Sequence, residues 1–155
     1  MAEGKYSIDK ILSLLDKMAE NETAIQNLYL DYATSFPSQK EFWNKISLEE
    51  QMHAEILVQS KSKINKGSIN SNINFTEEAA NIFIKYVKQQ RDKNRTGNVD
   101  LKEALATALN LEQSMLESHY FDVLSLCQSP DIQKQLFNNT REHAQRIKDA
   151  IKQIL

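Results

Sequence analysis

At 155 residues the chain is one domain's worth, long enough to bury a full core without disulfides or structural zinc. A net charge of -2 gives no attraction to nucleic acid or to an anionic membrane surface. The lone cysteine, Cys127, excludes a disulfide framework and a cysteine-based metal site. With only 3 glycines and 2 prolines, tight turns are scarce, and abundant Leu, Ile, Ala, Lys, Glu and Gln favour long helices. The opening MAEGKYSIDK has no apolar signal region, and no run approaches the ~18 apolar residues of a spanning helix. A cytoplasmic single domain over residues 1–155 is the expectation.

The first helix is expected over 7–36. Ser7 is a good N-cap, and Ile8, Ile11, Leu15, Met18, Ile25, Tyr29, Tyr32 and Phe36 recur at helical spacing until Pro37 stops it. Ser38 to Glu41 has the form of a capping box and predicts an immediate second helix over 38–64, through Phe42, Trp43, Ile46, Ile56 and Leu57. So short a connection joins antiparallel neighbours. Residues 66–75 are polar and loop-like. Thr76-Glu77-Glu78 then starts a short amphipathic helix over 76–91, with Ile82, Phe83, Tyr86 and Val87 on one face, and the run from Asp92 to Val99 breaks it. A third long helix is expected over 100–127, from Asp100 through Leu105, Leu109, Leu116 and Val123. Ser129-Pro130-Asp131 begins a fourth over 130–154, with Ile132, Leu136, Ile147 and Ile151. The order predicts an all-α antiparallel four-helix bundle: a hairpin, a ~38-residue crossover holding the short helix, and a second hairpin.

Each long helix carries a polar interruption on its apolar stripe: Glu22 on the first, Glu50 and His53 on the second, Glu112 on the third, Thr140 and His143 on the fourth. Residues three apart differ by about 60° around a helix, so Glu50 and His53 share a face. The interruptions also agree in height. Glu22 and the Glu50/His53 pair are centred on residue ~37, at the first tight connection, and Glu112 and the Thr140/His143 pair on residue ~127, beside the break at Ser129-Pro130. Antiparallel hairpins therefore set all of them in one layer. A single Glu or His on such a stripe is ordinarily a satisfied core group, but three carboxylates in one buried layer demand neutralisation. No Lys or Arg shares the stripes at that level; Arg146 is the nearest and can reach outward. Bound cations, imidazolium partners or protonated acids remain.

A Glu on each of two helices plus Glu-x-x-His on each of the other two is the ligand scheme of carboxylate di-iron bundles. With Glu22 followed by Tyr29, with Glu49-Glu50-Gln51-Met52-His53-Ala54, and with the runs LNLEQSMLESHYF and NTREHAQRI, the sequence resembles the rubrerythrin branch of the ferritin-like superfamily over nearly its whole length. The resemblance implies a metal site of Glu22, Glu50, His53, Glu112 and His143. It would hold one or two iron ions, with zinc or manganese as other occupants. It further implies an oxidoreductase acting on O2 or hydrogen peroxide with an external electron donor, and a homodimer as the assembly. The alternative is a metal-free or single-metal bundle serving as an interaction module.

The sequence departs from that pattern at Thr140, where a Glu is expected, so the ligand set is five of six. Glu142 is no substitute, because residues two apart point about 200° apart. No CxxC pair supplies a rubredoxin-like domain. Met52 does not directly follow the second-helix Glu, and the chain lacks an extra helix after the fourth, so neither haem nor a 24-subunit cage is expected. His119 is expected to be a core or interface histidine, Tyr29, Tyr32 and Tyr120 core residues, Cys127 an inert, partly buried thiol, and the basic run over 85–95 a solvated face.

Overall fold

The computed structural model describes residues 7–65, 73–127 and 131–154. It is all-helical, with five α-helices: α1 Ile8–Ser35, α2 Lys40–Ser60, α3 Glu77–Arg95, α4 Leu101–Glu117 and α5 Asp131–Ile154. No strand occurs among the described residues, and the one β-type pairing is an isolated antiparallel bridge between Ile64 and Cys127. No helix there is long and apolar enough to cross a membrane.

Helix α1 starts where its sequence predicts, with the Ser7 hydroxyl accepting from the Lys10 amide at 3.2 Å. The start of α2 corrects the capping-box reading. Pro37–Gln39 form a turn of 3-10 helix, and no side chain caps α2 at its entry. Proline fixes the φ of that tight turn and donates no hydrogen bond, which suits a link between packed helices. At its far end α2 stops at Ser60 and gives way to a 3-10 turn, Lys61–Lys63.

The crossover helix is not short. Capped by Thr76, which accepts from the Ala79 amide at 3.1 Å, α3 runs four residues past the expected end at 91. Tertiary contacts carry it on: Arg91 pairs with Asp31 at 2.7 Å, and buried Asn94 donates to Ser35 Oγ at 3.0 Å. It ends before Gly97, whose φ of +75° glycine adopts without strain. The face of α3 is also corrected. Ala80, Ile84 and Val87 are buried, whereas Ile82 is 70% exposed beside Phe83 and Tyr86.

Helix α4 is shorter than the expected 100–127. It ends at Glu117, the chain passes through His119 in the left-handed region (φ +62°), and Asp122–Leu126 form a 3-10 helix. The physical reason lies in the next residues. Turning out of the helix drives Tyr120, Phe121, Val123 and Leu124 into the core, with the Tyr120 hydroxyl donating to the Met18 carbonyl at 3.0 Å. His119 is therefore a surface residue paired with Asp122 rather than a core histidine. Ser129-Pro130, the expected start of the fourth long helix, lies outside the described residues.

Helix α1 packs on α2 and α3, and α4 on α5. Asp16 meets Lys61 while Gln26 meets Gln51, so α1 and α2 run in opposite directions. Asp31 meets Arg91 and Ser35 meets Asn94, so α3 runs alongside α1 in the same direction. Opposite directions also hold for α1 and α4, where Asn21 meets Met115 and Tyr29 meets Glu112. The same core takes in Leu14, Leu15, Ile25, Leu28, Trp43, Leu57, Leu105, Leu111, Leu136 and Ile147, and the polar layer interrupts it.

Candidate metal centre

All five predicted residues are buried and brought together. Glu22, Glu50 and Glu112 have no exposed surface, and His53 and His143 have 2% and 1%. They form two triads, Glu22/Glu50/His53 and Glu50/Glu112/His143, and in each the three ligating atoms lie within 4.8 Å of one another. Glu50 belongs to both. Each triad offers buried oxygen and nitrogen atoms close enough together to hold a metal ion.

The layer is short of protein partners. Among the described residues, both oxygens of Glu22, one oxygen each of Glu50 and Glu112, and both ring nitrogens of His53 lack a well-formed hydrogen bond, although His53 Nδ1 lies 3.5 Å from Glu50 Oε2. No Lys or Arg pairs with any of the three carboxylates there. Unmade bonds on buried ionisable groups are costly, and acidic oxygens with imidazole nitrogens are a donor set suited to iron, zinc or manganese. The residues fit a divalent cation.

Three hydrogen-bonding groups shape the layer. Tyr29 donates to Glu112 Oε1 at 2.8 Å and orients that carboxylate. His143 Nδ1 lies 2.8 Å from Glu50 Oε1 and 3.6 Å from Glu112 Oε1, and its ring stacks on His53 with centroids 5.3 Å apart. The other nitrogen, Nε2, hydrogen-bonds to Glu49, which in turn accepts two bonds from Arg146 at 3.0 and 2.8 Å. Thr140, one turn before His143, is fully buried, and its hydroxyl has no partner.

Proton occupancy without metal follows from this packing. Burial, then the charges of Glu50 and Glu112, push the Glu22 carboxyl well above the usual range. Burial and the Glu50 charge raise Glu112 to about 7, against the opposing pull of His143 and Tyr29. Burial disfavours the Glu50 carboxylate as well, but its contacts with Glu22, His143 and His53 outweigh that and hold it well below the usual range. His143 is raised to about 11 because Glu112 and Glu50 outweigh its desolvation. The metal-free layer thus neutralises itself with an imidazolium and a protonated Glu22.

Glu49 joins the layer's outer contacts although its stripe position does not mark it: one residue before Glu50 turns a side chain about 100° around α2, toward α5, where Arg146 stands one turn beyond His143. Arg146 reaches outward as expected, with Glu49 as its partner. Glu142 is 64% exposed and takes no part in the layer. A cleft of about 190 Å³ between α2 and α5, bounded by Glu49, Met52, His53, Asn139, His143 and Arg146, reaches the two histidines from outside. No family model matches the chain, and neither a curated protein nor a solved structure does.

Proposed function

We propose that α1, α2, α4 and α5 form an antiparallel four-helix bundle of the ferritin-like, rubrerythrin-like kind, with α3 in its long crossover. In this reading the bundle is a di-iron oxidoreductase acting on O2 or hydrogen peroxide. The observation that carries the reading is the sharing of Glu50 between two Glu/Glu/His triads. The opposed courses of α1 against α2 and α4, together with α3 running back alongside α1, support a single long crossover.

In that role Glu22 and His53 would hold one ion, Glu112 and His143 the other, and Glu50 would serve both. Iron there would supply one-electron chemistry toward oxygen or peroxide. Tyr29 keeps Glu112 in place, the surrounding apolar side chains keep bulk water from the carboxylates, and the cleft between α2 and α5 admits a molecule of a few atoms. In this reading an external donor supplies the electrons. Thr140 leaves three carboxylates opposite two divalent ions. An added hydroxide or other anion then completes the charge, and Thr140→Glu should tighten the weaker ion. Association as a two-fold dimer would cover the apolar cleft of Ile82, Phe83 and Tyr86 beside Leu111; light scattering at micromolar concentration reads it.

Metal analysis of protein purified without chelator tests the centre. About two ions per chain are expected, falling to none in the Glu50→Gln/His53→Leu double variant, with peroxide consumption lost in parallel. A second reading, a metal-free interaction module, is favoured by one observation: His143 sits between Glu50, Glu112 and Glu49 and, with Glu22 protonated, neutralises the layer without a cation. Protein that binds no iron, zinc or manganese would establish that reading instead.

A further inference from the structure

Helices α2 and α5 bring the same spacing to the layer but not the same chemistry. On α2, Glu50 stands three residues before His53; on α5, the residue three before His143 is Thr140. Residues three apart share a helix face, so Thr140 holds on α5 the place that Glu50 holds on α2. Glu50 turns an oxygen to each histidine, Oε1 at 2.8 Å from His143 Nδ1 and Oε2 at 3.5 Å from His53 Nδ1. Threonine ends at its γ atoms, so no second carboxylate spans the triads from the α5 side. Thr140 is fully buried, and its hydroxyl has no hydrogen-bond partner among the described residues. An orphaned buried donor marks a place for a small polar ligand. The cleft of about 190 Å³ between α2 and α5 reaches His143, one turn along α5 from Thr140, and is too small for more than a few atoms.

We propose that the face of α5 at Thr140 is a binding site for a one-carbon, two-oxygen anion, formate or bicarbonate, which supplies from solvent the second shared carboxylate that this chain lacks. The inference rests on the metal reading above and deepens it, because the site forms only when both ions are bound. Without them the carboxylates of Glu22, Glu50 and Glu112 repel an anion. Two divalent ions against those three carboxylates, with both imidazoles neutral, leave one positive charge, which a monoanion balances. The Thr140 hydroxyl donates to one of its oxygens. Two oxygens are required because Glu50, the group to be matched, faces the triads with one oxygen each; a single-atom anion such as chloride balances the charge without spanning them. By thermodynamic reciprocity, the anion tightens the ions by the factor that the ions tighten the anion.

The experiment is a cobalt(II) titration of the full chain, followed by calorimetry and visible absorption, first in buffer free of carboxylate and carbonate and then with formate or bicarbonate added separately. In the wild type an anion that fits should tighten the weaker ion by ~10-fold and shift the cobalt bands, while chloride at equal concentration should do neither. A response to formate alone identifies the ligand as a small carboxylate, and one to bicarbonate alone as a carbonate. Thr140→Glu, which carries its own carboxylate, should hold both ions without added anion and show no anion response. Thr140→Val, which keeps the volume and removes the hydroxyl, should weaken the anion by ~10-fold and leave cobalt binding in anion-free buffer unchanged. Should Thr140→Glu lose helicity, the valine variant decides. No response to either oxyanion in cobalt-loaded wild type, an equal response to chloride, or an undiminished response in a folded variant would overturn the site. A wild type that binds no cobalt would instead defeat the metal reading itself.

Discussion

The end of the molecule around Trp43 and the layer around Glu50 are both fully buried, yet only the second leaves ionisable groups without hydrogen bonds. Trp43 packs against Tyr29, Tyr32 and Phe42 with ring centroids 5.6, 4.9 and 5.2 Å away, in the tilted and edge-on arrangements aromatic rings favour. The indole N–H and the Tyr32 hydroxyl lack partners, but those groups are neutral. Two to three turns further along α2, buried carboxyl oxygens and imidazole nitrogens lack hydrogen bonds too, and those groups can ionise. Leaving an ionisable group unpaired costs far more than leaving a neutral one. A chain that needed only a stable bundle would gain by extending the aromatic packing into the layer. The unmet polar groups therefore speak for a ligand.

The largest expected effect lies at the aromatic end. Trp43→Ala should destabilise the protein by ~3–5 kcal/mol in denaturant unfolding, since it removes the side chain that three other rings pack against. In the layer the sign should reverse. Glu22→Met should raise the stability of metal-free protein by ~1–3 kcal/mol, because it removes two buried oxygens without partners; a loss would mean that Glu22 is satisfied as it stands. Both measurements are needed, for the contrast is between a region that suffers from truncation and one that gains from it.

The pH response sharpens the same contrast. Glu112, raised to about 7, and Glu22, raised well above its ordinary value by burial, hold protons in the folded state that the unfolded chain releases near the ordinary carboxyl value of 4.5. Their contribution is present below that value and is lost as pH rises through the folded pKa, so the melting temperature of metal-free protein should fall between pH 5 and 8. His143, raised to about 11, adds a loss of the same sign above 6.5. With zinc bound the trend should turn upward, because ligands must shed their protons to bind. Melting curves in parallel, with chelator and with zinc, check both halves. The smallest effect belongs to Thr140→Val, which deletes one unpartnered hydroxyl at nearly constant volume and should add about 1 kcal/mol.

The candidate site was more legible in the sequence than parts of the fold that carry it. Glu22, Glu50, His53, Glu112 and His143 each break an apolar stripe, and a stripe with a known rise per residue fixes height as well as face. Where prediction slipped, tertiary contact overrode local pattern. Leu105, Leu109, Leu116 and Val123 keep helical phase past Glu117, yet burying Tyr120 and Phe121 turns the chain out of the helix at His119. Asn94 and Arg91 extend α3 through a stretch whose composition reads as a loop. Glu49 is not legible in the sequence, because its meaning depends on α5, a neighbour that spacing along α2 does not reveal.

The bridge between Ile64 and Cys127 bears on how the chain assembles. It joins the segment after α2 to the segment after α4, with the Asn65 amide donating to the Leu126 carbonyl at 2.7 Å. Each helix pair closes over a short stretch of sequence, whereas this clasp spans some sixty residues and forms only once the two halves have met. Exchange of the Asn65 amide proton with solvent then times a late event, the docking of one preassembled half on the other, while amides within α1 and α2 report the earlier one. A metal ion drawing ligands from both halves would slow the first clock far more than the second.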